Sequence, residues 1–228
     1  MKSFALLGAP KQLWPDDLKQ QFLLANRTGD LVIGVDRGAL LLQEMGIKVD
    51  VTEGDFDSLQ KNELAEIEKN VADIRYSNPE KDWTDAELAI RCAFLDYHVS
   101  HLTLFGATGG RLDHFLSNFL MALKPEFKEF AEKIALIDQQ NSISFYNAGK
   151  HLVKRQLGYK YFGVVTLTGV LNLNINRAKY NLAKYWSANP VSFSSNEFLP
   201  GKDAFELSFT RGVVAVIQSK DINRFQNI

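Results

Sequence analysis

Asp55 and Asp57 flank a phenylalanine in the run Gly54-Asp55-Phe56-Asp57-Ser58. In an extended backbone alternate side chains share one face. The spacing therefore predicts two carboxylates converging on one point, with Phe56 turned into a core. Two hard oxygen donors at a strand end suit Mg²⁺. That ion takes one or two protein carboxylates and leaves its other positions to water and substrate phosphates. An Asp-rich turn over a buried phenylalanine fits the same five residues.

Two further acidic segments tip the balance toward chemistry. Lys81-Asp82-Trp83-Thr84-Asp85-Ala86-Glu87 contains a capping box, Thr84 to Glu87, which starts a helix. A helix N-terminus favours phosphate. Asp82 and Asp85 at that end would repel one unless a cation lay between them, and Mg²⁺ resolves the conflict. Lys81 is positioned to meet a phosphate directly. Gly106-Ala107-Thr108-Gly109-Gly110-Arg111-Leu112-Asp113-His114 is glycine-rich but lacks the Lys-Ser/Thr ending of a Walker A loop. Its glycines allow backbone to approach a ligand, and Arg111 offers a planar fork to phosphate oxygens. Asp113 is either the cap of a helix starting near His114, a metal ligand, or a hydrogen-bond acceptor for a nucleophile. His114 either contacts phosphate or is a half-exposed residue at a helix start. Asp36, in Val35-Asp36-Arg37-Gly38, is a helix N-cap, a ribose ligand, or part of a metal shell.

Other chemistries find little support. His98 and His101 lack a third nitrogen or sulfur ligand nearby, which argues against zinc. No serine elbow or Cys/His pairing is evident. The pattern points to metal-assisted phosphoryl transfer, which relies on positioning and charge neutralisation. Later in the chain, Ser194-Ser195-Asn196-Glu197 follows a strand-like run and is expected to form a turn or to bond an organic ligand. At least two of Tyr180, Tyr185 and Trp186 are expected to pack on a sheet. An exposed one would suit a flat, cationic ring.

The elements that must position these groups fall into two kinds. Apolar runs at Phe4–Leu7, Leu31–Asp36, Leu102–Phe105 and Lys133–Ile137 read as strands buried on both faces. Helical patterns lie between them, around 18–24, 38–45, 63–69, 87–95 and 115–123. This alternation predicts an open, mostly parallel, three-layer α/β domain over 1–140. In such sheets ligands bind beyond the carboxyl ends of the strands, where Asp36, Asp55, Asp57 and Gly106 fall. Beyond Asn141, short alternating runs separated by polar turns predict an antiparallel β-sandwich or barrel over 141–228, with the join near 138–141.

The 228-residue chain can bury a substantial core. Its net charge of −1 offers no basic footprint for nucleic acid. No apolar run is long enough for a membrane span. The single cysteine, Cys92, forbids an intramolecular disulfide and fits a reducing compartment; a cytoplasmic location is expected.

Taken in order, Val-Asp-Arg-Gly, Gly-Asp-Phe-Asp-Ser, Lys-Asp-x-Thr-Asp-x-Glu, Gly-Gly-Arg-Leu-Asp-His and the late Ser-Ser-Asn resemble the thiamine pyrophosphokinase family over nearly the whole chain. The resemblance implies attack by the primary hydroxyl of thiamine on the β-phosphorus of Mg·ATP, giving thiamine diphosphate and AMP. It implies a homodimer with thiamine bound where the subunits meet. It makes Asp55, Asp57, Asp82 and Asp85 the metal centre and places Arg111 and Asp113 at the transferring group. Asp36, Arg37, Ser58, Lys81, Thr84 and His114 are then expected around ATP, and Ser195 and Asn196 on the thiamine pyrimidine. Lys179-Tyr180-Asn181-Leu182 resembles the family's Lys-Trp-Asn-Leu segment, so Tyr180 takes the place of the stacking aromatic. A nucleotide sensor without catalysis, or a pyrophosphokinase for another alcohol, are the alternative readings.

Overall fold

The computed structural model describes residues 1–8, 10–77 and 83–221. The chain divides into two compact units. One comprises Met1–Met121 with Leu136–Gln139, the other Ala122–Ala135 with Gln140–Ile228.

The first unit is built on short strands: β1 (Ser3–Leu6), β2 (Leu31–Val35), β3 (Val51–Gly54), β4 (Asp73–Tyr76), β5 (Leu102–Phe105) and the second half of β6 (Ile134–Ile137). Their order is β6-β5-β1-β2-β3-β4. The pairings of β1 with β2 and β5, and of β3 with β2 and β4, are parallel. All five residues of β2 are buried, as its unbroken apolar run requires. Helices α1 (Leu18–Thr28), α2 (Arg37–Glu44), α3 (Lys61–Asn70), α4 (Asp85–Arg91) and α5 (Leu112–Leu120) alternate with the strands. Phe22 packs against Phe105 with ring centroids 5.4 Å apart, and Phe4 stacks on Phe105. Each fully buried ring contributes about 1.5–3 kcal/mol.

Strand order, more than the core, decides where a ligand can sit. From β1 the chain steps outward through β2, β3 and β4, then returns to place β5 on the other side of β1. The direction of winding reverses between β1 and β5, which is where ligands bind in open α/β sheets. β4 was not expected. Asp73, Ile74, Arg75 and Tyr76 are each at least partly exposed, as suits an edge strand, so no apolar run marks it. Arg75 pairs with Asp73 at 3.0 Å and also with Asp96.

The second unit is antiparallel throughout: β7 (Asn141–Lys154), β8 (Tyr161–Thr166), β9 (Val170–Asn176), β10 (Leu182–Ser187), β11 (Ser192–Glu197) and β12 (Ala204–Ser219). β12 runs through the turn-like Thr210-Arg211-Gly212 as one long strand. β12 pairs with β7 along its length, with β9 through its first half and with β8 through its second. A bulge between Phe209 and Val213 separates the halves and re-aims the strand. Phe205 and Leu207 point inward before it, and Val214 and Val216 after it. Phe162 and Phe205 stack in this core with centroids 4.0 Å apart. β9 carries no clear strand signal because Asn172, Asn174 and Asn176 look like turn residues.

Candidate active site

The loops leaving β1, β2, β3 and β5 line one cleft of about 360 Å³ in the first unit. Asp36, Arg37, Ser58, Asp85, Arg111 and His114 all face it. Six residues expected at the site thus come from loops far apart in sequence. Asp85 arrives on the first turn of α4. The capping box forms as expected: Glu87 N–H donates to Thr84 Oγ1 at 3.3 Å, and Thr84 N–H donates to Glu87 Oε2 at 3.0 Å.

Asp36 organises the cleft. It occupies the N-cap position of α2, yet its side chain does not cap that helix. Its Oδ1 instead accepts the Phe56 N–H at 3.2 Å, joining the loop after β2 to the loop after β3. Its φ of 48° lies in the left-handed region, where an aspartate is uncommon. Gly54 makes room for it: a Cβ on Gly54 would lie 1.8 Å from Asp36 Oδ1. Burial, and then the Asp85 carboxyl hydrogen-bonded to it, push the Asp36 carboxyl up to about 7.

That shift has a measurable consequence. A carboxyl raised from 3.8 holds extra protons in the folded state between about pH 4 and 7. Its stabilising share is complete below that window and is lost as pH rises through it. In EDTA the melting temperature should fall from about pH 5 to pH 8, and Asp36→Asn should flatten the fall. An equally steep profile in the variant would assign the loss to another group.

The Asp55–Asp57 segment forms the Asp-rich turn over a buried phenylalanine, not two carboxylates converging from an extended strand. The extended run ends at Gly54, and Phe56 has φ 56°. Backbone turns there, so alternate residues no longer share a face. Asp57 N–H donates to Asp55 Oδ1 at 3.2 Å, and Asp57 is exposed. Phe56 is buried as expected, edge-on to Tyr76. Asp55 still acts on Asp36 through its charge. Lys81 and Asp82 lie outside the described residues. Among the described residues no group of three or more His, Cys, Asp or Glu side chains forms a metal cage.

Positive φ at Gly106, Gly109 and Gly110 bends the loop after β5 around the cleft. Asn118 Nδ2 donates to Ala107 O at 2.8 Å, and Thr108 Oγ1 donates to Asp138 at 2.7 Å. Helix α5 starts at Leu112, so Asp113 sits in its first turn and is not its cap. Arg111 and Asp113 are paired, with Nη2 to Oδ2 at 2.6 Å, and Arg111 holds the exposed Asp113 carboxyl down to about 2. Sequence reasoning missed Pro10 and Asn118 as lining residues. The strand end at Gly8, on the ligand edge of the sheet, was the available signal for Pro10.

In the second unit a groove of about 560 Å³ is lined by Tyr161, Tyr180, Ser194, Ser195 and Glu197, among others. Ser194-Ser195 is a bulge within β11, not a turn after it, and Ser195 has φ 61°. Tyr180 is exposed, with Lys179 Nζ 5.5 Å from its ring centroid. Lys179 pairs with Glu197 at 2.5 Å and holds that carboxylate below its ordinary range. Asn196 is buried. Its Oδ1 accepts from Tyr180 N–H at 3.0 Å and its Nδ2 donates to Tyr180 O at 2.7 Å. Only Tyr185 of the three aromatics packs as expected, edge-on to Phe193. Tyr180 and Trp186 are both exposed.

Residues 23–135 match the thiamin pyrophosphokinase catalytic domain, and residues 150–214 match the thiamin pyrophosphokinase vitamin B1 binding domain. The chain is 33% identical to the thiamine pyrophosphokinase of Bacillus subtilis over 94% of its own length and 96% of that protein. The chain belongs to the thiamin pyrophosphokinase family. Among solved structures, a thiamin pyrophosphokinase family protein from Enterococcus faecalis superposes with a TM-score of 0.89 at 34% identity, covering 97% of this chain and all of that one. Thiamin pyrophosphokinase from Geobacillus thermodenitrificans gives 0.79 at 28% identity, covering 98% and 99% of the two chains. The family's parallel α/β region followed by an antiparallel β region is the architecture seen in this chain. Among the described residues no helix is long and apolar enough to cross a membrane.

Proposed function

We propose that the chain transfers the β,γ-diphosphoryl group of ATP to the primary hydroxyl of thiamine, releasing AMP. The observation that carries this reading is the single cleft collecting Asp36, Arg37, Ser58, Asp85, Arg111 and His114 at the reversal point of the sheet. The thiamine oxygen bonds to the β-phosphorus, the bond from the β-phosphorus to the α,β-bridging oxygen breaks so that this oxygen leaves on AMP, and the hydroxyl proton leaves to solvent or a carboxylate. Arg37 and Arg111 bind phosphate oxygens as forks, with Arg111 exchanging Asp113 for phosphate. Ser58 and His114 contact the nucleotide from the cleft walls. Alignment of hydroxyl and phosphorus supplies much of the acceleration.

Mg²⁺ fits this donor set. Asp36 and Asp85 are all-oxygen donors whose mutual repulsion helps hold Asp36 near 7, as expected of carboxylates lacking a counter-charge. Asp85 would hold the ion with Asp36 and Asp55 beside it, and the remaining positions belong to phosphate and water. When bound, the ion neutralises charge developing on the transferring phosphates.

Tyr180 and Ser195 receive thiamine in the second unit, Tyr180 by stacking. We assign Asn196 to positioning the Tyr180 backbone, since both ends of its carboxamide are engaged there. Tyr180→Ala should raise KM for thiamine about tenfold, the scale of one cation–π contact, and leave KM for ATP unchanged. Asn196→Ala should do the same with an added loss of stability. An ATP-specific defect in either variant would contradict the assignment.

The homodimer is supported by α5, which exposes Leu112, Leu116 and Leu120 along one stripe. Apolar stripes of this kind mark association surfaces. Leu116→Glu should yield a monomer by sedimentation; a dimer of unchanged strength would exclude this face. Buried Cys92 is compatible with a cytoplasmic location. The reaction is tested by incubating the protein with ATP, Mg²⁺ and thiamine and resolving the products. AMP and thiamine diphosphate in equal amounts are expected. ADP with thiamine monophosphate, or no thiamine-dependent AMP, would refute it.

A further inference from the structure

A second groove in the β unit, of about 600 Å³, is separate from both the cleft of the first unit and the Tyr180 groove. Its floor is bare backbone. A Cβ on Gly169 would lie 2.8 Å from Ala188 O, and one on Gly212 would lie 2.6 Å from Gly169 O. Trp186, Leu171, Arg211 and Lys128 stand around that floor. Two irregularities of the sheet put them there. The β12 bulge between Phe209 and Val213 contains Arg211, which lies opposite Leu171. The pairing of β9 with β10 shifts between Tyr185 and Ser187, next to Trp186. Bulges recur where a side chain is re-aimed toward a site.

The chemistry of the walls is specific. Trp186 is 69% exposed, an unusual cost for the largest apolar side chain. Among the described residues, no acidic side chain lines the groove and neither Arg211 nor Lys128 has an ion-pair partner. A planar apolar face beside two available cations matches a flat ring with an anionic group attached to it. The volume lies in the range of small-molecule pockets.

We propose that this groove binds a heteroaromatic phosphate, with the ring stacked on Trp186 and the phosphate held by Arg211 and Lys128. This rests on the proposed diphosphoryl transfer only in naming candidates: AMP and thiamine diphosphate, its two products, both have this chemistry. A ring–indole stack and an Arg–phosphate fork are among the stronger contacts a surface site can make.

Isothermal titration of the full chain with AMP and, separately, with thiamine diphosphate tests the proposal. Inorganic phosphate and thiamine serve as controls. A second site per chain is expected for at least one product, and the product that shows it identifies the source of the ring phosphate. That site should weaken about tenfold or more in both Trp186→Ala and Arg211→Gln, while turnover at trace product stays unchanged. Because both side chains are exposed, the variants should fold, and circular dichroism checks this. A single site for both products, a second site unaffected by both variants, or equal binding of inorganic phosphate would overturn the proposal. Loss of thiamine-dependent AMP formation with the second site intact would refute the proposed reaction instead.

Discussion

Asp85→Asn should lower turnover about 100- to 1000-fold, on the scale of removing one preorganised electrostatic contact. The reasoning begins with the capping box, which fixes the first turn of α4 and carries Asp85 into the cleft. Asp85 there meets Asp36, and the two carboxyls share a hydrogen bond that raises Asp36. Asparagine keeps the shape and the hydrogen bond but removes the charge that a cation needs. The helix should still form, because Thr84 and Glu87 cap it without Asp85. Stability should move the opposite way from activity. Without a divalent cation at about pH 8, relief of the like-charge pressure should raise the melting temperature. A variant that is both less active and less stable in EDTA would place Asp85 in a structural role.

Gly54→Ala should be the most damaging change at a residue that touches no ligand itself. The added Cβ would lie 1.8 Å from Asp36 Oδ1 and 3.2 Å from its Cα. The first contact is far inside van der Waals range, so the carboxyl must turn away. Doing so breaks its bond from Phe56 N–H and separates it from Asp85. Overpacking of this kind costs about 1–3 kcal/mol, and turnover should fall about 100-fold with the loss of the carboxyl arrangement. A second change separates the two effects. Asp36→Gly in the Gly54→Ala background removes the clashing group and relieves the positive φ at position 36. Part of the lost stability should return, the backbone contact at 3.2 Å and the lost Phe56 bond accounting for the remainder, and activity should not return. Recovery of both would mean that Asp36 has no part in the reaction.

Much of this arrangement could be read from the chain because local chemistry and fold agreed. The apolar runs of β1, β2 and β5 are buried on both faces, so hydrophobicity alone marked them. The capping box at Thr84 is a short-range signal that needs no tertiary context. That Asp36 and the loop after Gly106 would meet was legible as a placement rule, the carboxyl ends of parallel strands, before any strand order was known; Arg37 and Ser58 came from the resemblance to the family.

What escaped depends on long-range geometry or on single torsions. The positive φ at Phe56 redirects Asp57, and the choice between the extended run and the Asp-rich turn that Gly-Asp-Phe-Asp-Ser equally allowed rests on that one torsion. The commitment of Asn196 to the Tyr180 backbone comes from tertiary placement of residues sixteen apart. β4 is an edge strand held by ion pairs, so its residues carry no apolar signature. The bulge in β11 puts what read as a turn inside a continuous strand, and the bulge in β12 re-aims its side chains. Trp186 looked like a packing residue because its exposure is set by the pairing irregularity beside it.

The central claim is that the carboxylates of the first-unit cleft hold the divalent ion that accompanies the nucleotide. Mn²⁺ bound with a non-hydrolysable ATP analogue can be followed by electron paramagnetic resonance in the wild-type chain and in Asp85→Asn. Nucleotide-dependent Mn²⁺ binding in the wild type, weakened at least about tenfold in the variant, is the predicted result. Equal Mn²⁺ binding by both proteins would contradict it.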